Sequence, residues 1–175
     1  MTIVYRDAGA EDAATLSALG RATFTETFGH LYTPENLAAF LESHAEERWR
    51  GELADPRFRV RLAEEDGRAA AYAKLGPPSL PFETKRPCAE LRQFYVLKPW
   101  HGRGIAAELM RWVLAEARAQ GAEELYLSVF IDNHRARRFY ERYGFEQIGI
   151  YHFMVGTHAD EDLIMRLDLG DARVD

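Results

Sequence analysis

The sequence predicts an α+β fold in which about seven strands form a sheet and four helices cover it. Three observations point there. Stretches with the two-residue period of strands and the 3.6-residue period of helices follow one another in the order β-α-α-β-β-β-α-β-α-β-β. The chain of 175 residues fits one domain, residues 1–175, with a sizeable core. Hydrophobic residues make up 47% and charged residues 29%, an ordinary globular mix, and there is no repeat or low-complexity segment.

Each element has its own signal. "TIVYRDA" alternates like a short strand. "AEDAATLSALGRATFTETFG" places Ala14, Leu16, Leu19, Ala22, Thr23 and Phe24 at helical spacing. In "TPENLAAFLESHAEERWRGELAD", Thr33 is a candidate N-cap, Pro34 stands at the first helical position, and Leu37, Phe40 and Leu41 share a face. "FRVRLAEEDGRAAAYAKLG" reads as a hairpin, because Phe58, Val60 and Leu62 alternate with arginines and Asp66-Gly67 supplies the turn. "PPSLPFETKRP" is a proline-rich covering loop, and "AELRQFYVL" is a strand. The next helix, "GIAAELMRWVLAEARAQG", has Ile105, Leu109, Val113 and Ala117 four apart and Gly121 past its end. "EELYLSVF" is a strand, and "NHRARRFYERYG" is a helix with Ala136, Phe139, Tyr140 and Tyr143 on one side. "FEQIGIYHFM" and "EDLIMRLDL" are the last two strands.

Composition excludes several functions. A formal net charge of -6 argues against nucleic acid as the main partner and favours a cationic or neutral one. Cys88 is the only cysteine, so no internal disulfide or cysteine metal cluster can form. The first residues are too acidic for a secretory signal, and no run approaches 18 apolar residues, so a cytoplasmic protein with no membrane partner is expected. His30, His44, His134, His152 and His158 form no metal-ligand spacing, and no metal is expected. "HADED", residues 158–162, reads as a polar turn before the last strand.

The informative stretch is "LKPWHGRGIAAELM", where Gly102 and Gly104 flank Arg103 just before a helix. A glycine pair can serve only to turn the chain. Gly102, Gly104 and Ala107 also fit a dinucleotide fingerprint, but Lys98, Pro99, Trp100 and His101 separate the preceding strand from the first glycine, and too little chain follows for a doubly wound sheet. The third reading is a pyrophosphate cradle. Helix-initial amides lack internal partners, the aligned dipoles make that end positive, glycines admit a phosphate to the backbone, and Arg103 adds charge.

Two motifs together resemble the GCN5-related N-acetyltransferase (GNAT) superfamily. Its Q/R-x-x-G-x-G/A acyl-CoA signature stands here as His101-Gly102-Arg103-Gly104-Ile105-Ala106, with histidine in place of glutamine or arginine. Its second signature is matched at Asn133, Ala136, Phe139, Tyr140, Gly144 and Phe145. The resemblance implies an α/β/α arrangement with a mixed, mostly antiparallel sheet splayed between strands 4 and 5. It implies acetyl-CoA as co-substrate, held by residues 101–106, Asn133 and the bulged-strand positions Phe94, Tyr95 and Val96. It further implies an N-acetyltransferase that joins both substrates in one ternary complex, and it allows a homodimer.

An attacking amine must lose a proton and the departing thiolate must gain one. Spacing alone puts Tyr140 in a packing stripe, whereas the motif match makes it the acid. Glu90, eleven positions before His101, is either the base or a solvated strand-end acid, and some relatives use a water chain instead. Glu26 is a candidate substrate-binding residue on the segment that walls the acceptor site in this family, and Glu26, Glu35 and Glu90 lie in segments that the resemblance places near the acceptor mouth, where carboxylates would attract a polycation. "ATFTETFGHLYTPENLAAFL" and "YHFMVGTHADEDLIMRL" further resemble the PaiA-type branch, which implies a polyamine acceptor such as spermidine. A peptide N-terminal amine and a non-catalytic acyl-CoA-binding regulator are the alternatives.

Overall fold

A computed structural model describes residues 2–170. Among them, strands β1 (Ile3–Asp7), β2 (Arg59–Glu65), β3 (Arg68–Gly76), β4 (Cys88–Val96), β5 (Glu124–Phe130), β6 (Glu146–Val155) and β7 (His158–Asp168) build one sheet in the order β1-β2-β3-β4-β5-β7-β6. Only β4 and β5 are parallel neighbours; the other adjacent pairs are antiparallel. The α-helices are α1 (Ala13–Phe28), α2 (Pro34–Leu41), α3 (Glu46–Ala54), α4 (Ile105–Ala119) and α5 (His134–Tyr143).

Local signals act as their chemistry requires. Asp66 and Gly67 both take left-handed φ, 51° and 75°, which closes β2 onto β3 through a two-residue turn. The Thr33 side chain accepts the Asn36 N–H and caps α2. The stretch read as one long helix from Thr33 is divided: residues 42–44 tighten into a 3₁₀ turn, Ala45 turns extended, and α3 restarts at Glu46. Tertiary contact explains the break. The carbonyl of buried His44 accepts the Ser17 hydroxyl, its ring accepts Trp49 Nε1–H at 3.3 Å, and Trp49 reaches the core.

The sheet is covered on both faces. Ile105, Leu109, Val113 and Ala117 of α4 are at most 1% exposed and pack with Ala71, Ala73 and Leu75 of β3. Full burial of each Leu or Val on this stripe contributes roughly 1.5–3 kcal/mol. The α5 aromatics Tyr140 and Tyr143 join the same core. On the opposite face Leu16, Leu19 and Trp49 pack with Val60, Leu62 and Tyr72.

One irregularity positions the site. β4 and β5 pair only at Cys88–Glu124, Ala89–Leu125 and Glu90–Tyr126, and then diverge. Between β3 and β4 the register slips: Leu75 opposes Leu91 while Lys74 opposes Gln93, so Arg92 is the extra residue of a bulge. Beyond it β4 is held only by β3, while β5 stays paired to β7 as far as Phe130–Asp162. Each wall of the resulting V is fixed from outside, and the inner edge of β4 keeps free backbone groups.

Candidate active site

The glycine turn forms the rim of the V. Gly102 and Gly104 take φ of 77° and 80°, a conformation that L side chains rarely adopt. A Cβ at either glycine would meet no other atom within 4 Å, so the turn opens onto free space. The first amides of α4 lack intrahelical acceptors, and Gly104, Ile105 and Ala106 line the opening. An anion fits there, against backbone donors at the positive helix end.

Two side chains expected in this cradle have partners elsewhere, although His101 also lines the cavity beside Gly102. The Arg103 guanidinium forms a two-pronged pair with Glu65, at 2.7 and 2.9 Å, and turns away from the opening. Trp100 Nε1–H donates to the same carboxylate at 2.7 Å, and these donors, Arg103 first, hold Glu65 down at about 2. Arg103 therefore anchors the turn to β2, and its charge is spent on Glu65. The His101 ring donates through Nε2 to the Val96 carbonyl at 2.7 Å, which ties the turn to the end of β4. Positive charge at the opening comes from Arg135, Arg138 and Arg142 of α5. Their spacing of three and four marks one helical face, a signal present in the sequence and not used there.

Behind the rim a cavity of about 840 Å³ passes between β4 and β5 to the other face of the sheet. Side-chain alternation divides it. Phe94 faces α5, with ring centroids 5.6 Å from Phe139 and 6.3 Å from Tyr140. Gln93 and Tyr95 face the opposite side, where the Tyr72 hydroxyl donates to Gln93 at 3.0 Å and the Tyr72 and Tyr95 rings lie 5.9 Å apart. Val96 lines the cavity near the rim. Asn133 also lines it; its Oδ1 accepts the Ala136 N–H at 3.3 Å and so caps α5.

Tyr140 is 7% exposed, lines the cavity, and has no hydrogen-bond partner among the described residues. Burial, with Tyr95 adding to it, pushes its hydroxyl above the ordinary phenol value. It stays protonated at neutral pH, the form a proton donor needs.

The candidate acids are placed differently from the sequence reading. Glu90 is neither solvated nor free: at 5% exposure, its Oε1 accepts Ser79 N–H at 2.7 Å and Leu80 N–H at 3.2 Å. Ser79 Oγ lies 3.1 Å from both carboxylate oxygens, and Arg92 Nε is 3.4 Å away. Glu90 thus pins the proline-rich loop to β4, and a base role would require it to release those donors. Glu26 does not line the cavity; its carboxylate accepts the Lys98 N–H at 3.0 Å and ties α1 to the segment after β4. Glu35 is exposed on the first turn of α2.

The acids on the far wall are Asp160 and Asp162. "HADED" is the start of β7, since the turn falls at Gly156 and Thr157. Asp160 is 6% exposed and accepts hydrogen bonds from the Tyr32 hydroxyl and from His158 Nε2, the latter at 3.1 Å. Asp162 is 7% exposed; burial, and then the neighbouring Asp160, push it up to about 7, while Ser128 pulls the other way. Two acids at i and i+2 in a strand share a face, which is the signal that could have found them. Nearby, Lys74 is buried on Glu52 at 2.8 Å and over the Trp49 ring at 4.4 Å, and burial holds His44 near 4 and hence neutral. No cluster of three or more metal-ligating side chains occurs among the described residues.

Residues 23–145 match the model of the acetyltransferase (GNAT) family. An uncharacterized N-acetyltransferase of Mycobacterium tuberculosis is 35% identical over 159 residues, which cover 90% of this chain and 98% of that protein. Among solved structures, the PaiA N-acetyltransferase of Thermoplasma acidophilum in complex with coenzyme A superposes with a TM-score of 0.76 at 20% identity, covering 96% of this chain and 99% of that one. A ribosomal-protein-alanine N-acetyltransferase of Brucella melitensis gives 0.67 at 27% identity, covering 94% and 99%.

Proposed function

The chain belongs to the GNAT family of acetyltransferases and is an N-acetyltransferase of that type, and we propose that it carries acetyl from acetyl-CoA to a small cationic amine inside the splayed cavity. The observation that carries the reading is the continuity of that cavity. One end is the left-handed glycine turn at the start of α4, and the other holds two buried carboxyl groups.

In this reading the amides around Gly104, Ile105 and Ala106 hold the pyrophosphate, and Arg135, Arg138 and Arg142 add charge. The open edge of β4 at Phe94, with the Val96 N–H beside the carbonyl that His101 takes, pairs with the pantetheine arm, which brings the thioester to the bulge. A backbone N–H there stabilises the oxyanion as the amine attacks. The C–S bond then breaks, and the Tyr140 hydroxyl gives its proton to sulfur. Holding both substrates in one cavity supplies much of the rate by proximity.

For the acceptor we propose a polyamine such as spermidine. Glu26, Glu35 and Glu90 do not support it, since their carboxylates are exposed or already engaged. Asp160, Asp162 and the net charge of -6 do. The test measures free thiol released from acetyl-CoA with spermidine, butylamine and a peptide with a free N-terminus. Release that favours spermidine is the expected result. A preference for the peptide overturns the polyamine acceptor and leaves acetyl transfer in place, and release with no amine at all overturns the catalytic reading.

A further inference from the structure

Asp160 and Asp162 point to the same face of β7, into the acceptor half of the cavity, but only Asp160 has an imidazole beside it. Asp160 has the Tyr32 hydroxyl and His158. Asp162 has the Ser128 hydroxyl near it and, among the described residues, no Lys, Arg or His within ion-pair distance. The groups around Asp162 come from several elements. They are Tyr95 of β4, Tyr32 ahead of α2, Ser128 of β5, Tyr151 of β6, and Asp160 with its His158 on β7. These are phenols, a hydroxyl, a second acid and one imidazole already hydrogen-bonded to that acid.

A buried carboxylate without a counter-charge is costly, and structures avoid it by pairing or protonation. Asp162 therefore has a place for a cation beside it, and that place lies in the cavity that receives the substrates. The surrounding aromatic rings suit an alkyl ammonium, which is attracted to their faces.

We infer that Asp162 is the residue that binds the acceptor's ammonium group and removes its proton. The inference rests on the acetyl-transfer reading and deepens it. The ammonium N–H bond breaks, its proton passes to the Asp162 carboxylate, and the freed electron pair attacks the thioester carbon. When the tetrahedral adduct collapses, sulfur takes the proton of Tyr140. The second proton leaving nitrogen restores Tyr140 through solvent, and Asp162 returns its own proton to water. Loss of hydration in the cavity lowers the amine's affinity for its proton. Burial and Asp160 raise that of Asp162 to about 7, so the two approach each other.

The sign of the pH dependence follows. Below about 7 Asp162 is neutral and neither attracts the ammonium nor accepts a proton, so kcat/KM for the amine rises with pH through that value and then levels. The test uses the full chain and Asp162→Asn, each first checked for acetyl-CoA binding. Asp162→Asn should keep cofactor affinity, lose roughly 10²-fold or more in kcat/KM for spermidine and lose the rise near neutrality, with Asp162→Glu recovering part of both. Calorimetric titration of spermidine into the CoA-loaded proteins should show at least tenfold weaker binding to Asp162→Asn. A folded Asp162→Asn that retains the pH rise and the rate overturns the proton-transfer role. Equal spermidine binding by both proteins overturns the ammonium site. A wild type that releases thiol with no amine defeats the acetyl-transfer reading and the proton role together, and the calorimetry then decides the ammonium site alone.

Discussion

The two halves of the cavity are built by different means. The half proposed to hold the cofactor is mainly backbone: two left-handed glycines, the open amides of α4, the edge of β4 that faces the cavity and the α5 cap at Asn133. The acceptor half is side chains from segments far apart in the chain, with Tyr32, Tyr95, Ser128, Asp160 and Asp162 meeting on one wall. A backbone site serves a ligand whose phosphates and amide-rich arm are constant. A side-chain site can be changed residue by residue without disturbing the sheet, which suits the proposed role of this wall in selecting the acceptor.

Substitutions can break this division. The largest effect is expected at the junction of the halves. Tyr140→Phe should lower turnover by roughly 10²-fold or more while leaving acetyl-CoA and amine affinity alone, because only the departing sulfur uses the hydroxyl. Single-turnover thiol release checks it, and an unchanged chemical step would return Tyr140 to a packing role.

A smaller and more selective effect is expected on the backbone half. In Gly104→Val a branched side chain must adopt φ near 80° and project into the space kept for phosphate. Acetyl-CoA affinity should fall at least tenfold, and the rise in melting temperature that acetyl-CoA confers should shrink. Spermidine binding should not change. Loss of both affinities together would mean that the halves are not separable.

The smallest effect is expected at Glu26. Its carboxylate is occupied by the Lys98 N–H, and a glutamine carbonyl can accept the same bond. Glu26→Gln should shift kcat/KM for any amine by less than about twofold, within the range of a substitution that removes no functional contact. A larger loss confined to polyamines would put Glu26 back at the acceptor mouth.

The two halves also differed in how readily the sequence revealed them. The turn from His101 to Ala106, the α4 stripe, the Thr33 cap and the Asp66-Gly67 hairpin all lie within a few residues of what they act on. Spacing and residue type were enough to read them. Where polar side chains end was not readable in this way. Arg103 meets Glu65 across 38 positions and Glu26 meets Lys98 across 72. Asp160 and Asp162 looked like solvated turn residues because polarity suggests exposure, until β7 turned both inward.

By itself, then, the sequence determined the strands and most helices, the cap at Thr33, and a left-handed glycine turn ahead of α4, because backbone conformation responds to neighbours along the chain. Only the tertiary structure decided which charges are spent and which remain. Arg103 is paired with Glu65, and the carboxylates of Glu26 and Glu90 are held by donors that folding brings to them. Asp162 is left in a buried wall with the Ser128 hydroxyl and, among the described residues, no cationic partner, because a charge balance depends on everything within a few ångströms and not on what is adjacent in sequence.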